Sequence, residues 1–276
     1  MPTDHRDVFP KNVVYSYTPD EHDGKWETME ARGSVHPASV YPAFAVLRSK
    51  IFIYGGDAGD FDLSKTLSTL SLKGHFEVLS PLSETPSPRR DHQAFVHDEK
   101  IYFLGGYVNE INENRGEDYR KRKGSPVYFT NEMIQYDPET NRFRQIFSRG
   151  RHLSPRIGSA VAVLGHRVFI HGGHDNLGSL HDFFVLDMKT FELAEIESTG
   201  YESRISYHSA ISITAKHLLF VGGYTPESQK ATNQVKIYDA KSGAWEKERS
   251  LSYAIGAGLN LQRAVGFPRK DGIAVL

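Results

Sequence analysis

The sequence predicts an all-β fold made of stacked repeats, and three regularities lead to that prediction. First, four short apolar runs end in paired glycines, at Gly55-Gly56, Gly105-Gly106, Gly172-Gly173 and Gly222-Gly223. Second, three of these pairs are followed by a strand that ends in a turn beginning Tyr-Asp or Leu-Asp, at residues 136, 186 and 238. Third, each turn leads into a strand that carries a large apolar residue. Gly, Pro, Asn and Ser around the turns are typical turn residues.

The spacing between these landmarks is constant. The large apolar residue lies 29 residues before a glycine pair in four places, from Trp26 to Gly55, Phe76 to Gly105, Phe143 to Gly172 and Leu193 to Gly222. Four equal spacings indicate that one structural unit is repeated along the chain.

Each unit is predicted to contain four short strands. The first strand is small and apolar, as in residues 159–163, and the second is the apolar run before the glycines. The third leads into the turn and the fourth carries the large apolar residue. One such sheet cannot bury both of its faces, so neighbouring units must stack. Radial stacking gives a β-propeller.

The two ends of the chain are predicted to complete one blade together. Residues 12–30 match only the third and fourth strands of a unit, and residues 254–276 match its beginning. A blade shared in this way leaves no free sheet edge. We therefore predict a single domain over residues 1–276, with about five four-stranded blades; six blades is the less favoured alternative.

These units resemble kelch repeats. The apolar run before Gly-Gly, the Tyr-Asp turn and the following Trp or Phe all match, and kelch repeats have a period of about 50 residues. The resemblance covers almost the whole chain and implies a kelch-type propeller. It says little about function, because one fold carries many functions.

Composition narrows the functional classes. The formal net charge is −1, 24% of residues are charged, and there is no cysteine. We therefore expect no nucleic-acid or membrane partner, no disulfide and no thiolate metal site. With neither a signal-like apolar segment nor a glycosylation sequon, the expected location is the cytoplasm, or else the nucleus.

One insertion distinguishes the second unit. Phe143 lies 37 positions after Gly106, whereas Phe76 lies 20 positions after Gly56. The additional segment, at about residues 108–126, contains four acidic residues followed by Arg120-Lys121-Arg122-Lys123. It is either a functional loop or a solvated one.

The candidate binding residues lie at one mouth of the predicted propeller. In kelch propellers of ubiquitin-ligase adaptors an Arg-Ile-Gly motif supplies an arginine to the ligand pocket, and residues 156–158 match that motif. The resemblance implies a site at Arg156, with related positions at Arg90 and Arg204. Residues just after the glycine pairs face the same mouth; they are Asp57, Tyr107, His174 and Tyr224. The alternative role for the arginines is to join blades.

Chemistry other than binding has weaker support. The three histidines His171, His174 and His181 match no compact metal-ligand spacing, so we expect no metal and no cofactor. No Gly-x-Ser-x-Gly or His-Glu-x-x-His motif is present. The copper-radical chemistry of some kelch-like oxidases needs a cysteine, which this chain lacks.

The leading functional prediction is a protein–protein interaction module that presents partners to a larger assembly, such as a ubiquitin ligase. Arginines and tyrosines around the mouth suit a partner with an acidic segment or a C-terminal carboxylate. Two alternatives stay open at this point. One is an enzyme acting on a small metabolite, such as a sugar-acid epimerase, and the other is an actin-associated kelch protein.

Overall fold

The structure, a computed structural model, describes the chain in segments. They are residues 13–18, 24–34, 36–37, 40–59, 62–109, 127–197, 204–227, 229–232, 234–246, 249–250, 266–269 and 272–275. All regular structure in these segments is β-strand. In this part of the chain, no helix is long and apolar enough to cross a bilayer.

The described residues contain four four-stranded antiparallel sheets in chain order, which we call blades 1 to 4. They are preceded by a hairpin of β1 (Val13–Thr18) and β2 (Lys25–Glu30). Blade 1 consists of β4 (Ala43–Leu47), β5 (Lys50–Tyr54), β6 (Leu67–Ser71) and β7 (His75–Val78), with β3 (Arg32–Gly33) parallel to β7. Blade 2 consists of β9 (Gln93–His97), β10 (Lys100–Leu104), β13 (Met133–Asp137) and β14 (Arg142–Ile146). A small sheet beside it pairs β8 (Arg89–Arg90), β11 (Tyr107–Asn109) and β12 (Val127–Phe129).

Blades 3 and 4 repeat this pattern. Blade 3 consists of β16 (Ala160–Leu164), β17 (Arg167–His171), β20 (Phe183–Asp187) and β21 (Glu192–Glu195). The short strand β15 (Arg149–Gly150) runs parallel to β21. Between β17 and β20, β18 (His174–Asp175) and β19 (Gly178–Ser179) form a hairpin. Blade 4 consists of β22 (Ser209–Ser212), β23 (His217–Val221), β26 (Gln234–Asp239) and β27 (Ala244–Trp245). Between β23 and β26, β24 (Tyr224–Thr225) and β25 (Lys230–Ala231) form a hairpin. The short strand β28 (Arg249–Ser250) pairs with β26. The last hairpin joins β29 (Gly266–Arg269) and β30 (Gly272–Val275).

The predicted strand order within a unit is confirmed. In each blade the second strand, which ends at the glycine pair, pairs with the first strand on one side and the third on the other. The aspartates of the predicted turns close them, because Asp137, Asp187 and Asp239 each accept hydrogen bonds from the backbone N–H groups two and three residues later. The sequence therefore predicted both the strands and their turns.

The core lies between blades rather than within them. One apolar cluster joins residues of blades 1 and 2, a second joins blades 2 and 3, and a third joins blades 3 and 4. The first strands of successive blades lie side by side, β4 by β9, β9 by β16 and β16 by β22, as radial stacking requires.

The predicted composite blade stays a prediction. Among the described strands, β1 pairs with β2 and β29 pairs with β30, and each hairpin forms a sheet of its own. The strand β29 lies beside β22, where the first strand of a following blade would lie. Residues 12, 19–23 and 254–265 of the predicted blade lie outside the described residues.

Candidate functional site

The glycine pairs hold each blade to the next. All eight glycines have positive φ, for example 70° at Gly105 and 114° at Gly106. A Cβ on Gly105 would lie 2.7 Å from the backbone oxygen of Arg156, so a side chain does not fit there. The N–H of Gly106 donates to that same oxygen at 2.9 Å.

The same backbone bond recurs at two other junctions. The N–H of Gly56 donates to the oxygen of Arg89, and the N–H of Gly173 donates to the oxygen of Ile205, both at 2.8 Å. Arg89, Arg156 and Ile205 are therefore equivalent positions, which we call the junction position. This register places Arg90 one residue after the junction position and Arg204 one residue before it.

Arg156 occupies the junction between blades 2 and 3. Its side chain is 1% exposed and forms a bidentate pair with Asp182, at 2.6 and 2.7 Å. The guanidinium also donates to the backbone oxygens of Gly172 and Ser154. The expectation that Arg156 lines the pocket is therefore corrected, because its side chain is buried and bonded to residues of its own blade and of the segment before it. The blades are joined here by its backbone, which accepts from Gly106 and donates to Thr130 of blade 2.

Arg89 repeats this arrangement one blade earlier. Its side chain is 0% exposed, it donates to Glu132 at 2.8 Å, and it donates to the backbone oxygen of Gly105. The sequence prediction selected Arg90 in this repeat and missed Arg89. The signal that would have found Arg89 is the spacing of 16 residues to the first glycine of the pair, which Arg156 and Gly172 share.

Arg90, the residue after the junction position in blade 2, contacts blade 1. Arg90 is 19% exposed, and its Nη1 lies 3.1 Å from Oδ2 of Asp57 on blade 1. Its guanidinium lies over the ring of Tyr107 at 5.0 Å and near the ring of Tyr41 at 5.8 Å. Three predicted site residues, Asp57, Arg90 and Tyr107, therefore meet here.

A line of rings continues from this cluster towards blade 3. The ring of Phe129 lies 5.7 Å from that of Tyr107, and the ring of His174 lies 6.3 Å from that of Phe129. We call Tyr41, Arg90, Tyr107, Phe129 and His174 the aromatic strip. Phe129 was missed by the sequence prediction because it lies at the end of the insertion rather than after a glycine pair.

The strip depends on the pairing of short strands around the mouth. Tyr107 pairs with both Arg90 and Phe129 in the three-stranded sheet, and Ile157 forms an isolated bridge with His174. The ends of the insertion are thus held as a hairpin, while residues 110–126 lie outside the described residues. The predicted insertion therefore starts from the mouth.

The two remaining candidates lie at the equivalent place on blade 4. Tyr224 is half-buried and bridges Ser206, two residues after Arg204. Arg204 is exposed, and within the described residues it takes part in no ion pair. Neither residue contacts the aromatic strip within the described residues, so their place at the mouth stays a prediction.

The strongest pKa shifts lie away from the mouth. Burial lowers the pKa of His208 to about 3 and that of His92 and His171 well below the usual range. Nδ1 of His171 lies 2.8 Å from Nε2 of His208, between blades 3 and 4. In the described part of the chain, no group of three or more possible metal ligands occurs.

Comparison with known proteins identifies the family. Residues 116–254 match the family model described as the KLHDC2/KLHL20/DRC7 Kelch-repeats domain, which is half of the chain. The chain belongs to the kelch-repeat family. The kelch resemblance drawn from the glycine pairs and the Tyr-Asp turns is therefore confirmed.

Curated relatives extend the kelch likeness over most of the chain. Kelch domain-containing protein 2 of Bos taurus is 23% identical over 80% of this chain and 56% of its own length. Kelch domain-containing protein 1 of Mus musculus is 21% identical over 91% of this chain and 64% of its own length. Tip elongation aberrant protein 3 of Schizosaccharomyces pombe is 25% identical over 59% of this chain and 16% of its own length. The chain thus spans less than two thirds of each of these relatives.

A solved structure supports the kelch propeller. The structure described as "Structure of YjhT" superposes with a TM-score of 0.72 and 16% identity, over 96% of this chain and 84% of that one. The all-β kelch propeller is confirmed, and the number of blades stays a prediction.

Proposed function

We infer that the chain is a protein–protein interaction module whose mouth binds an extended segment of a partner. The observation that supports this is the aromatic strip, a row of ring contacts that crosses from blade 1 to blade 3 at the mouth. Tyr41 at one end is 43% exposed, and Tyr107, Phe129 and His174 are half-buried. Rigid aromatic side chains with partly exposed faces are the residue type that dominates binding energy at protein interfaces.

The charges at the mouth define where an acidic group of the partner would bind. Arg90 is already paired with Asp57 at 3.1 Å and lies 3.5 Å from Asp91, so the guanidinium is shared between two carboxylates. A partner's carboxylate would have to compete with both of them. Arg204 is the predicted arginine that is exposed, and we assign the acidic segment or C-terminal carboxylate of the partner to it.

This mouth suits binding better than catalysis. General acid–base catalysis needs convergent groups with shifted pKa values in a cavity. The histidines with strongly lowered pKa values are buried between blades, and none of them is a member of the aromatic strip. We therefore do not propose the metabolite enzyme. Presentation of the partner to a larger assembly, such as a ubiquitin ligase in the cytoplasm, is the role we propose for the bound state.

The test uses two displayed random-peptide libraries, one with free C-termini and one with the same segments held internally. We expect selection of extended peptides with acidic residues, and a requirement for the free C-terminus if the carboxylate is the group that binds Arg204. Tyr107→Ala and Arg204→Ala should each weaken the selected peptides about tenfold or more.

Two matched variants serve as controls. Tyr128 is exposed and neighbours Phe129 on the same strand, so its side chain points to the other face of the hairpin. Arg142 is exposed on the outer strand of blade 2. Tyr128→Ala and Arg142→Ala should leave the peptides bound. Selection of the same peptides by the Tyr107→Ala protein would overturn the proposal. If only a variant lacking residues 110–124 loses peptide binding, the insertion is the binding site instead.

A further inference from the structure

The junction between blades 1 and 2 is filled by aromatic rings. Four positions supply the rings. The first is the residue directly before the glycine pair of one blade. The other three belong to the next blade: the residue two positions before its glycine pair, the residue that begins its Asp turn, and the large apolar residue seven positions after that. Here these are Tyr54, Phe103, Tyr136 and Phe143. Ring centroids lie 4.9 Å apart for Tyr54 and Phe103 and 4.9 Å apart for Tyr136 and Phe143.

The junction between blades 3 and 4 has rings at the same four positions. They are His171, Phe220, Tyr238 and Trp245. The centroid distances are 5.4 Å from His171 to Phe220 and 5.1 Å from Trp245 to both Phe220 and Tyr238. Two junctions of the propeller therefore have cores made of tilted and T-shaped ring pairs.

The junction between blades 2 and 3 is different. Its four positions hold Leu104, Ile170, Leu186 and Leu193, so every ring is replaced by an aliphatic side chain. All four are buried, and all four line a cavity of about 180 Å³. The cavity thus lies where the other two junctions have rings.

The volume and lining of the cavity indicate what it could bind. A site for a drug-sized molecule has a volume of about 300 Å³ or more, whereas an apolar cavity of about 150 Å³ accommodates benzene. One six-membered ring therefore fits here. The buried floor includes Met133 and Leu153, and the exposed rim carries Arg151 and His152.

The rim adds a charge to the apolar floor. Nδ2 of Asn131 donates to the backbone oxygen of Leu153 and lies 3.3 Å from Nε2 of His152, so this side of the opening is held in place. Arg151 is bound to Leu193 through its backbone N–H at 2.8 Å, and within the described residues its side chain takes part in no ion pair. A guanidinium beside an apolar opening suits a carboxylate whose remaining part is apolar.

We propose that the cavity between blades 2 and 3 is a binding site for a small aromatic carboxylic acid. The ring enters the space enclosed by Leu104, Ile170, Leu186 and Leu193, and the carboxylate pairs with Arg151 at the rim. None of the residues that line the cavity belongs to the aromatic strip, and the site does not depend on the function proposed above.

The test measures thermal unfolding and dissociation constants with benzoate, benzyl alcohol, benzene and acetate. Benzoate at about ten times its Kd should raise Tm by about 2–4 °C. Benzyl alcohol and benzene should bind more weakly than benzoate, and acetate should produce no shift. A shift with acetate equal to that with benzoate would mean surface anion binding and would overturn the proposal.

Variants separate the ring site from the charge. Leu193→Phe restores the ring found in the other junctions and should abolish benzoate binding while the protein stays folded; Leu104→Phe is the second variant if the first fails to fold. Arg151→Gln should weaken benzoate about tenfold and leave benzyl alcohol unchanged. Leu177→Phe, the same change at a residue 93% exposed, should change nothing. The site is excluded if a folded Leu193→Phe or Leu104→Phe protein binds benzoate as the unmodified protein does.

Discussion

Arg89 and Arg90 are neighbours in the chain and have different roles. Arg89 is 0% exposed and pairs with Glu132 of its own blade, as Arg156 pairs with Asp182 one blade later. Arg90 is partly exposed under two tyrosine rings at the mouth, and its equivalents in blades 3 and 4 are Ile157 and Ser206. The junction position is built into the packing of the blades, whereas the position after it changes from a partly exposed arginine to the buried Ile157 and Ser206.

The junction between blades 3 and 4 shows which part of this arrangement is constant. Ile205 occupies the junction position, and Gln234 stands where Glu132 and Asp182 stand in the two previous blades. Both members of the ion pair are therefore replaced together. The bond from the second glycine to the backbone oxygen is present at all three junctions, so it is the common element, and the buried ion pair is a side-chain addition to it.

The largest expected effect follows from breaking the ion pair at one end. Arg156→Ala leaves Asp182 and the backbone oxygens of Gly172 and Ser154 without their donor. Removing one member of a buried pair costs about 3–5 kcal/mol in unfolding free energy. Urea unfolding measures this, and Arg90→Lys, which keeps the charge at the mouth, should cost less than about 1 kcal/mol.

A double variant tests whether the ion pair between Arg156 and Asp182 is an addition to the backbone hydrogen bond that all three junctions share. Arg156→Ile with Asp182→Gln gives this junction the residues of the next one, and it should be more stable than Arg156→Ala by about 1–3 kcal/mol. If the double variant is less stable than the single one, the comparison between the two junctions does not hold.

The glycine pairs are expected to have an effect of about 2–4 kcal/mol. Gly105→Val places a β-branched side chain at a φ of 70° and against the backbone oxygen of Arg156. Gly165 has a φ of 63° and nothing within 4 Å of an added Cβ, so Gly165→Val measures the conformational cost alone. Equal losses of unfolding free energy for the two variants would show that the contact between blades contributes nothing.

Much of the fold could be predicted from the sequence, because strand ends and turns are determined by neighbouring residues. The glycine pairs need positive φ and the aspartates close their own turns, and both signals are local. The site could be predicted only in part. Arg90 contacts two other predicted site residues, Asp57 and Tyr107, whereas Arg156 is buried and paired with Asp182, which is 26 residues away in sequence.

Phe129 and the ring-to-aliphatic exchange at the junction between blades 2 and 3 could not be predicted for a related reason. Whether a ring contacts another ring, and whether an aliphatic residue in its place leaves a cavity, depends on residues of the neighbouring blade. The sequence repeat identifies equivalent positions, but it does not show which of them face one another.

The buried histidines predict a pH dependence of stability. Their pKa values are lowered in the folded protein, so below about pH 6.5 the unfolded chain takes up protons that the folded chain does not. Stability is therefore retained above pH 6.5 and lost as the pH falls below it, by up to about 1.4 kcal/mol per pH unit for each histidine. Urea unfolding between pH 8 and pH 5 measures the slope.

One variant separates this effect from packing. The ring of His92 contacts those of Tyr54 and Phe103, and neither ring nitrogen has a hydrogen-bond partner among the described residues. His92→Phe should flatten the slope by one proton without a matching loss of stability at pH 8. An unchanged slope would mean that His92 does not contribute to the acid sensitivity.

The central claim is that partners bind along the aromatic strip, and it is tested most directly by one affinity comparison. The dissociation constant of the strongest peptide selected by the unmodified protein is measured for Tyr107→Ala and Tyr128→Ala, two tyrosine variants of the same hairpin. We expect Tyr107→Ala to weaken binding about tenfold or more and Tyr128→Ala to leave it unchanged, with both proteins folded. Equal dissociation constants for the two variants would contradict the account.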